Sequence, residues 1–346
     1  MAAETMRALE LKAYDGRLHL VEKTVPQPGP GEVLVRMAAA AVNPSDLKFT
    51  VGAYGLKKPL PVVPGFEGSG VVVAAGPGLR AKFMAAKKRV CCLAPETKDG
   101  TWAEYMVADA RKCIPLQKNV TLEQGATMVV NPWTAMAHLD RARRGGHKAA
   151  VHTAAAGALG RMMLRLALRL GYPMVHVARF AGQVEELKGL GAEHVVSLED
   201  PDLDERLKDL CGRLEATIAF DPIGGAMTGR VLAAMPKGSV AIVYGSLADE
   251  ACAIRPEQFI YEGKRVEGFW MPRWVEKKTL LGRIRMALSA QKHLETEFQT
   301  RLRVRVGLEG AAEAVEAYKK DMDGGKVLIL PNGESALDAP RDSASA

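Results

Sequence analysis

Residues 149–179 constrain the fold more than any other stretch of the chain. A short apolar run, Ala149, Ala150, Val151, His152 and Thr153, leads into Ala154-Ala155-Ala156-Gly157-Ala158-Leu159-Gly160. An amphipathic helical pattern follows to Leu170, and a second apolar run from Met174 to Ala178 ends at Arg179. Strand, small-residue turn, helix and strand in that order is what a mononucleotide-binding βαβ unit requires. Gly157 lets the backbone approach a pyrophosphate and Gly160 lets the helix pack close to the strand, while Ala155 stands where the usual fingerprint has its first glycine. A site selective for NAD places a carboxylate at the end of the second strand, on the ribose 2'-hydroxyl. Arg179 in that place suits a 2'-phosphate, so NADPH is the expected cofactor.

The flanking text supports a doubly wound sheet. Strands are expected at 149–153, 174–178, 194–196, 217–220 and 239–243, with helices at 158–170, 181–190, 203–213 and 225–234 between them. In the first helix Leu159, Met162, Met163, Leu166 and Leu170 form one face and Arg161, Arg165 and Arg169 the other, and the arginine stripe reads as a solvated face. From Met6 to about Ala108 the text is β-rich, with runs such as 33–37 and 70–75 punctuated by proline and glycine. A β-rich start followed by alternating strands and helices implies two domains with a cleft between them. Residues 333–346 lack periodicity and are expected to be disordered.

Composition narrows the class. At 346 residues, 48% of them apolar, the chain is long enough for two domains, each with its own core. The net charge of +7 suits phosphorylated ligands, but no clustered basic stripe with aromatic platforms points to nucleic acid. The five cysteines, Cys91, Cys92, Cys113, Cys211 and Cys252, show neither metal-ligand nor disulfide spacing, which suggests a reduced, cytoplasmic protein. No apolar run approaches the roughly 20 residues that span a bilayer, and strand pattern begins at Met6 without an expected signal segment.

Several ordered landmarks resemble the medium-chain dehydrogenase/reductase superfamily, in its zinc-free quinone oxidoreductase and 2-enoyl thioester reductase branch. They are Asn43-Pro44-Ser45-Asp46, Gly65-Phe66-Glu67-Gly68, residues 100–105, residues 131–135, the Ala/Gly loop, residues 190–192, residues 221–225, Tyr244-Gly245 and Gly325-Lys326-Val327. The resemblance runs from Met6 to Pro331. It implies an α/β protein: a GroES-like β-rich catalytic domain over 1–125, a Rossmann NADP-binding domain with a doubly wound parallel sheet over 126–268, and a return to the catalytic domain over 269–332. In the zinc alcohol dehydrogenases of this superfamily a cysteine takes the place of Asn43 and a histidine that of Phe66. Asparagine is a poor zinc ligand and phenylalanine none, and the cysteine-rich structural lobe is also missing, so no metal is expected.

Two segments resemble the enoyl thioester reductases in particular. Gly52-Ala53-Tyr54-Gly55 is similar to a segment whose tyrosine is that group's proposed proton donor, and Gly268-Phe269-Trp270-Met271-Pro272-Arg273-Trp274 is similar to its cleft-lining stretch. The resemblance thus implies Tyr54, Asn43 and Trp270 as catalytic residues. It implies cofactor contacts from Asn43, Thr134, Ala156, Gly157, Ala158, Leu159, Arg179, Tyr244, Gly245, Phe269, Trp270 and Lys326. Two departures stand out: Lys87-Lys88-Arg89-Val90 replaces a Gly-Asp turn, and Gln183 stands where many relatives carry a second phosphate-clamping lysine. The implied activity is NADPH-dependent reduction of an activated C=C bond in a small-molecule substrate. The alternatives are an NADPH:quinone oxidoreductase and a non-catalytic NADPH-binding protein. A homodimer joined through strand 239–243 and its continuation to Ile254 is also implied.

Overall fold

In the computed structural model, residues 4–338 are described, and they fall into two compact units. The first comprises residues up to 130 together with 287–294 and 300 onward, and the second comprises 131–286 with 295–299.

The first unit is built on strands β1 (Thr5–Leu11), β2 (Leu18–Thr24), β3 (Glu32–Ala41), β4 (Glu67–Ala75), β5 (Arg89–Leu93), β6 (Tyr105–Asp109) and β7 (Cys113–Pro115), joined late in the chain by β14 (Leu302–Val306) and β15 (Lys326–Ile329). β1 and β2 form a hairpin ladder, and the others form a mixed sheet in the order β14-β15-β3-β4-β5-β7 with β6 paired to β3. β3 is buried on both faces. Its alternation sends Val33, Val35 and Met37 into one apolar cluster with Val90, Cys92 and Met106, and Leu34 into another with Trp102 and Val107. The Lys87-Lys88-Arg89 departure ends a helix, Leu79–Lys87. Lys88 then takes a left-handed φ of 55° and Arg89 enters β5 buried, its guanidinium donating to Val120 O at 2.5 Å.

The second unit is a six-stranded parallel sheet of β8 (Ala149–His152), β9 (Met174–Ala178), β10 (His194–Ser197), β11 (Ala216–Asp221), β12 (Val240–Val243) and β13 (Arg265–Gly268). Its order, β10-β9-β8-β11-β12-β13, is the doubly wound Rossmann order with the switch point between β8 and β11. β8 and β9 are buried throughout, as parallel strands covered on both faces require.

Three expectations are corrected. The strand at 240–243 is not an edge, because β13 pairs with it in parallel; β13 is the edge, and the segment up to Ile254 is not a continuation of the strand. Residues 334–338, expected to be disordered, form a 3-10 turn with Ala336 buried, while 339–346 lie outside the described residues. The arginine stripe of helix Ala158–Arg169 is not solvated as a whole. Arg161 is 4% exposed, donating to Ala156 O and lying 3.3 Å from the Glu186 carboxylate. Arg165 donates to Gln299 O at 3.0 Å and Arg169 pairs with Glu297 at 3.3 Å. A periodic pattern identifies the face, but a charge can be buried where backbone carbonyls and a carboxylate await it. Within the turn, the left-handed residue is Ala154, at φ 49°.

Candidate active site

In the first unit the elements converge on a buried polar network. Asn43 caps helix Pro44–Thr50, and its backbone N–H donates to Asp46 Oδ2 at 2.7 Å in a capping box. The Asn43 side chain donates from Nδ2 to Glu67 Oε1 at 2.9 Å, and its Oδ1 accepts from the Lys326 ammonium. Glu67 also accepts from the backbone N–H of Val130 at 2.9 Å, Asp46 accepts from Phe66 N at 2.9 Å, and Lys326 donates to Val42 O at 3.3 Å. Burial pushes the Asp46 carboxyl up to about 7 and raises Glu67 as well, while it lowers Lys326 against the pull of both carboxylates. Asn43 and Lys326, expected to touch a cofactor, are each 1% exposed and are bonded to one another.

Phe66 sits directly beside this network, its backbone N–H bound to Asp46. Its ring lies 5.4 Å from that of Phe49, and the half-buried ring of Tyr54 lies 4.9 Å from it on another side. Lys58 completes the cluster. It is 4% exposed, its ammonium donates to Lys98 O at 2.9 Å and lies 5.9 Å from the Phe66 ring, and burial lowers its pKa to about 8. Nothing in the local text marked Lys58, because its partners come from distant segments. Among the described residues no group of three or more His, Cys, Asp or Glu side chains is placed to hold a metal ion.

In the second unit the candidate residues lie around the carboxyl ends of the sheet. Gly157 is the N-cap of helix Ala158–Arg169, with no side-chain cap bond and no acidic residue in the first turn, so the N-terminal amides are available to an anion. A Cβ on Gly160 would stand 2.1 Å from Ala155 O, which is why only glycine allows this helix to approach the turn. Ala156 is buried and Gly157, Ala158 and Leu159 are half-buried. These features fit a pyrophosphate. At the end of β9 the Arg179 side chain is exposed while its backbone is fixed at both ends, its N–H donating to Gln183 Oε1 at 2.8 Å and its carbonyl accepting from Ser197 Oγ at 3.3 Å. Gln183, read as a missing clamp, serves instead to hold Arg179 in place.

Asp221, at the end of β11, organises the switch point. It accepts from Thr153 Oγ1 at 2.5 Å, Thr228 Oγ1 at 2.6 Å, and the N–H groups of Ile223 at 2.9 Å and Gly224 at 3.2 Å. Tyr244 is half-buried, and its phenol shares a 2.8 Å hydrogen bond with His152 Nε2, which directs the hydroxyl inward. Its ring and that of Phe269 lie 4.7 and 4.6 Å from His138, which also stacks on Phe220 at 4.4 Å. His138 was not anticipated. It is fully buried, neither ring nitrogen has a hydrogen-bond partner among the described residues, and burial holds it well below the ordinary imidazole range. Thr134 is buried on helix Val130–Arg144, and Gly245 and Trp270 are half-buried, Trp270 as the N-cap of the short helix Met271–Glu276 with the Arg273 guanidinium 5.7 Å from its ring.

The chain matches the alcohol dehydrogenase GroES-like domain over residues 29–118 and the zinc-binding dehydrogenase domain over residues 158–285. A solved structure from Mesorhizobium loti, assigned as an NADPH:quinone reductase, is 34% identical with a TM-score of 0.88, covering 96% of this chain and 100% of that one. The protein belongs to the medium-chain dehydrogenase/reductase superfamily, in its zinc-free branch. The mitochondrial enoyl-[acyl-carrier-protein] reductase of Bos taurus is 30% identical over 71% of this chain, which spans 66% of that protein's length. The quinone oxidoreductase of Thermus thermophilus, solved also in complex with NADPH, is 25% identical with a TM-score of 0.75 over 94% of this chain and 100% of that one. Among the described residues no helix is long and apolar enough to cross a membrane.

Proposed function

We propose that this protein is an NADPH-dependent reductase of an activated C=C bond, acting on a 2-enoyl thioester, with Tyr54 as proton donor. The observation that carries the reading is the packing of Tyr54 on Phe66, which brings a phenol to the position where zinc-dependent cousins keep their metal-binding histidine. When bound, NADPH supplies the hydride that the β-carbon receives. The protein must then stabilise negative charge on the substrate carbonyl oxygen. A donor aimed at such an oxyanion is worth on the order of 3 kcal/mol, and an ordinary phenol, with a pKa of about 10, keeps its proton at neutral pH until the charge develops.

The remaining residues prepare the site. Asn43, Glu67 and Lys326 hold the start of β4 and the first turn of helix Pro44–Thr50, and so fix Phe66 beneath Tyr54. The amides that follow Gly157 would hold the pyrophosphate and Arg179 the 2'-phosphate. Tyr244, anchored by His152, and Phe269, seated on His138, would position the nicotinamide. The likeness to quinone reductases supports a second reading, in which the acceptor is a quinone.

Turnover of crotonyl-CoA, a simple enone and a quinone, measured side by side, separates the two. Tyr54→Phe is expected to lower kcat on crotonyl-CoA at least about tenfold with NADPH affinity unchanged, the pattern of a lost transition-state contact. Unchanged turnover removes Tyr54 from the mechanism.

A further inference from the structure

A groove of about 460 Å3 opens on the side of the parallel-sheet unit, between helices Leu203–Arg213 and Gly225–Ala234 and the segment that leads into helix Pro256–Ile260. Asp204, Lys208, Arg230, Arg255 and Gln258 supply its polar lining. Its floor is fixed: a Cβ on Gly229 would stand 1.8 Å from Ala253 O, and Ala253 N–H donates to Gly225 O at 3.1 Å. No residue assigned to the cofactor or to reduction lines it.

Two features of this groove lack a counterpart among the described residues. Arg230 pairs with Asp204, and the Glu262 carboxylate that reaches Lys208 is itself paired with Lys264, while among the described residues neither Lys208 nor Arg255 forms an ion pair, so four cations against two carboxylates leave two positive charges. Gln258 is 6% exposed, and among the described residues its side-chain oxygen has no hydrogen-bond partner. A buried acceptor left unpaired is costly, and a donor supplied by a ligand would recover that cost. The cations ask for a dianion and the amide for a hydroxyl or amino group on the same molecule. The volume suits a body of sugar size.

We propose that this groove is a second ligand site, for a hydroxylated phosphomonoester. Lys208 and Arg255 hold the phosphate, and Gln258 accepts from a hydroxyl of the attached body. The site is independent of the reductase reading.

Calorimetric titration with ribose 5-phosphate, inorganic phosphate and ribose, with and without saturating NADPH, tests it. The expected result is saturable binding of ribose 5-phosphate at least about tenfold tighter than phosphate, and unaffected by NADPH. Lys208→Ala with Arg255→Ala should weaken both anions at least tenfold. Gln258→Leu should abolish the preference for ribose 5-phosphate over phosphate while leaving phosphate binding as it was. Both variants should keep the far-UV circular dichroism of the parent, and the Lys208→Ala/Arg255→Ala pair, whose side chains form no ion pair among the described residues, decides the matter if Gln258→Leu folds poorly. Absence of saturable binding, equal affinity in parent and charge variant, or displacement by NADPH would overturn the proposal. The last outcome would place the phosphate in the cofactor's own site.

Discussion

The three buried histidines of the parallel-sheet unit should make it sensitive to mild acid. Burial lowers His152 to about 3 and His176 to about 4, and holds His138 well below the ordinary 6.5. The unfolded chain takes up protons below 6.5 and the native chain does not, so stability is intact above 6.5 and drains away as the pH falls. Because the loss begins at the unfolded pKa, it hardly depends on how far below it the native value lies. From about pH 7 to about pH 5 each such imidazole removes about 1.9 kcal/mol, and three remove about 5–6 kcal/mol, comparable with the whole stability of many domains. The other unit should respond in the opposite sense. Asp46, raised to about 7, keeps a proton in the native state that the unfolded carboxyl has lost, so its contribution improves as the pH falls from 7 towards 4. Hydrogen exchange read by mass spectrometry at the two pH values, corrected for intrinsic rates, resolves the units. Strands β8 to β12 should lose protection while β3 and β4 do not. His138→Phe keeps a ring between Phe220, Tyr244 and Phe269 and should flatten the loss by about one third, or about 1.9 kcal/mol. An unchanged pH dependence in that variant, or undiminished protection of β8 to β12 at the lower pH, would refute the reasoning.

Three further outcomes follow from the geometry. Lys326→Met strands Glu67 and the Asn43 carbonyl, and should cost about 3–5 kcal/mol in denaturant unfolding, of which Glu67→Gln in the same chain should restore a large part. Arg179→Ala should weaken NADPH by roughly 1.5–3 kcal/mol in a fluorescence titration and NADH far less, and equal losses would contradict the 2'-phosphate assignment. Gly160→Ala forces a methyl against Ala155 O, and should cost about 1–3 kcal/mol by thermal unfolding while weakening both nucleotides alike.

The parallel sheet was legible because its strands are short apolar runs separated by amphipathic helices, and burial on both faces leaves little choice of residue. β13 escaped notice for the converse reason. Arg265-Val266-Glu267-Gly268 is mostly exposed, has no apolar run, and becomes a strand only because β12 offers it an unsatisfied ladder. Arg161 shows a different limit, since helical periodicity places it on the polar face but does not reveal that Ala156 O and Glu186 lie over that face. His138 and Lys58 are lone side chains whose environments are assembled from four or five separate segments, so no spacing in the text could have marked them.

The first-unit network bears on why a protein would keep three ionisable side chains in a dry interior. Replacing such a set with apolar residues often leaves stability unchanged or raises it, so stability alone is a poor reason to retain it. What the network does is geometric. Asn43 ends helix Pro44–Thr50, Asp46 binds the backbone N–H of Phe66, Glu67 binds that of Val130, and Lys326 ties β15 to the carbonyl of Val42. Four chain segments distant in sequence are therefore fixed around one phenylalanine. A metal ion fixes its ligands by coordination, and here directional hydrogen bonds to backbone groups do the same for Phe66 and, through ring packing, for Tyr54. A phenol that must meet a charge only as it forms gains from being held still beforehand. On this view, changes that loosen the network should lower turnover more than they raise KM.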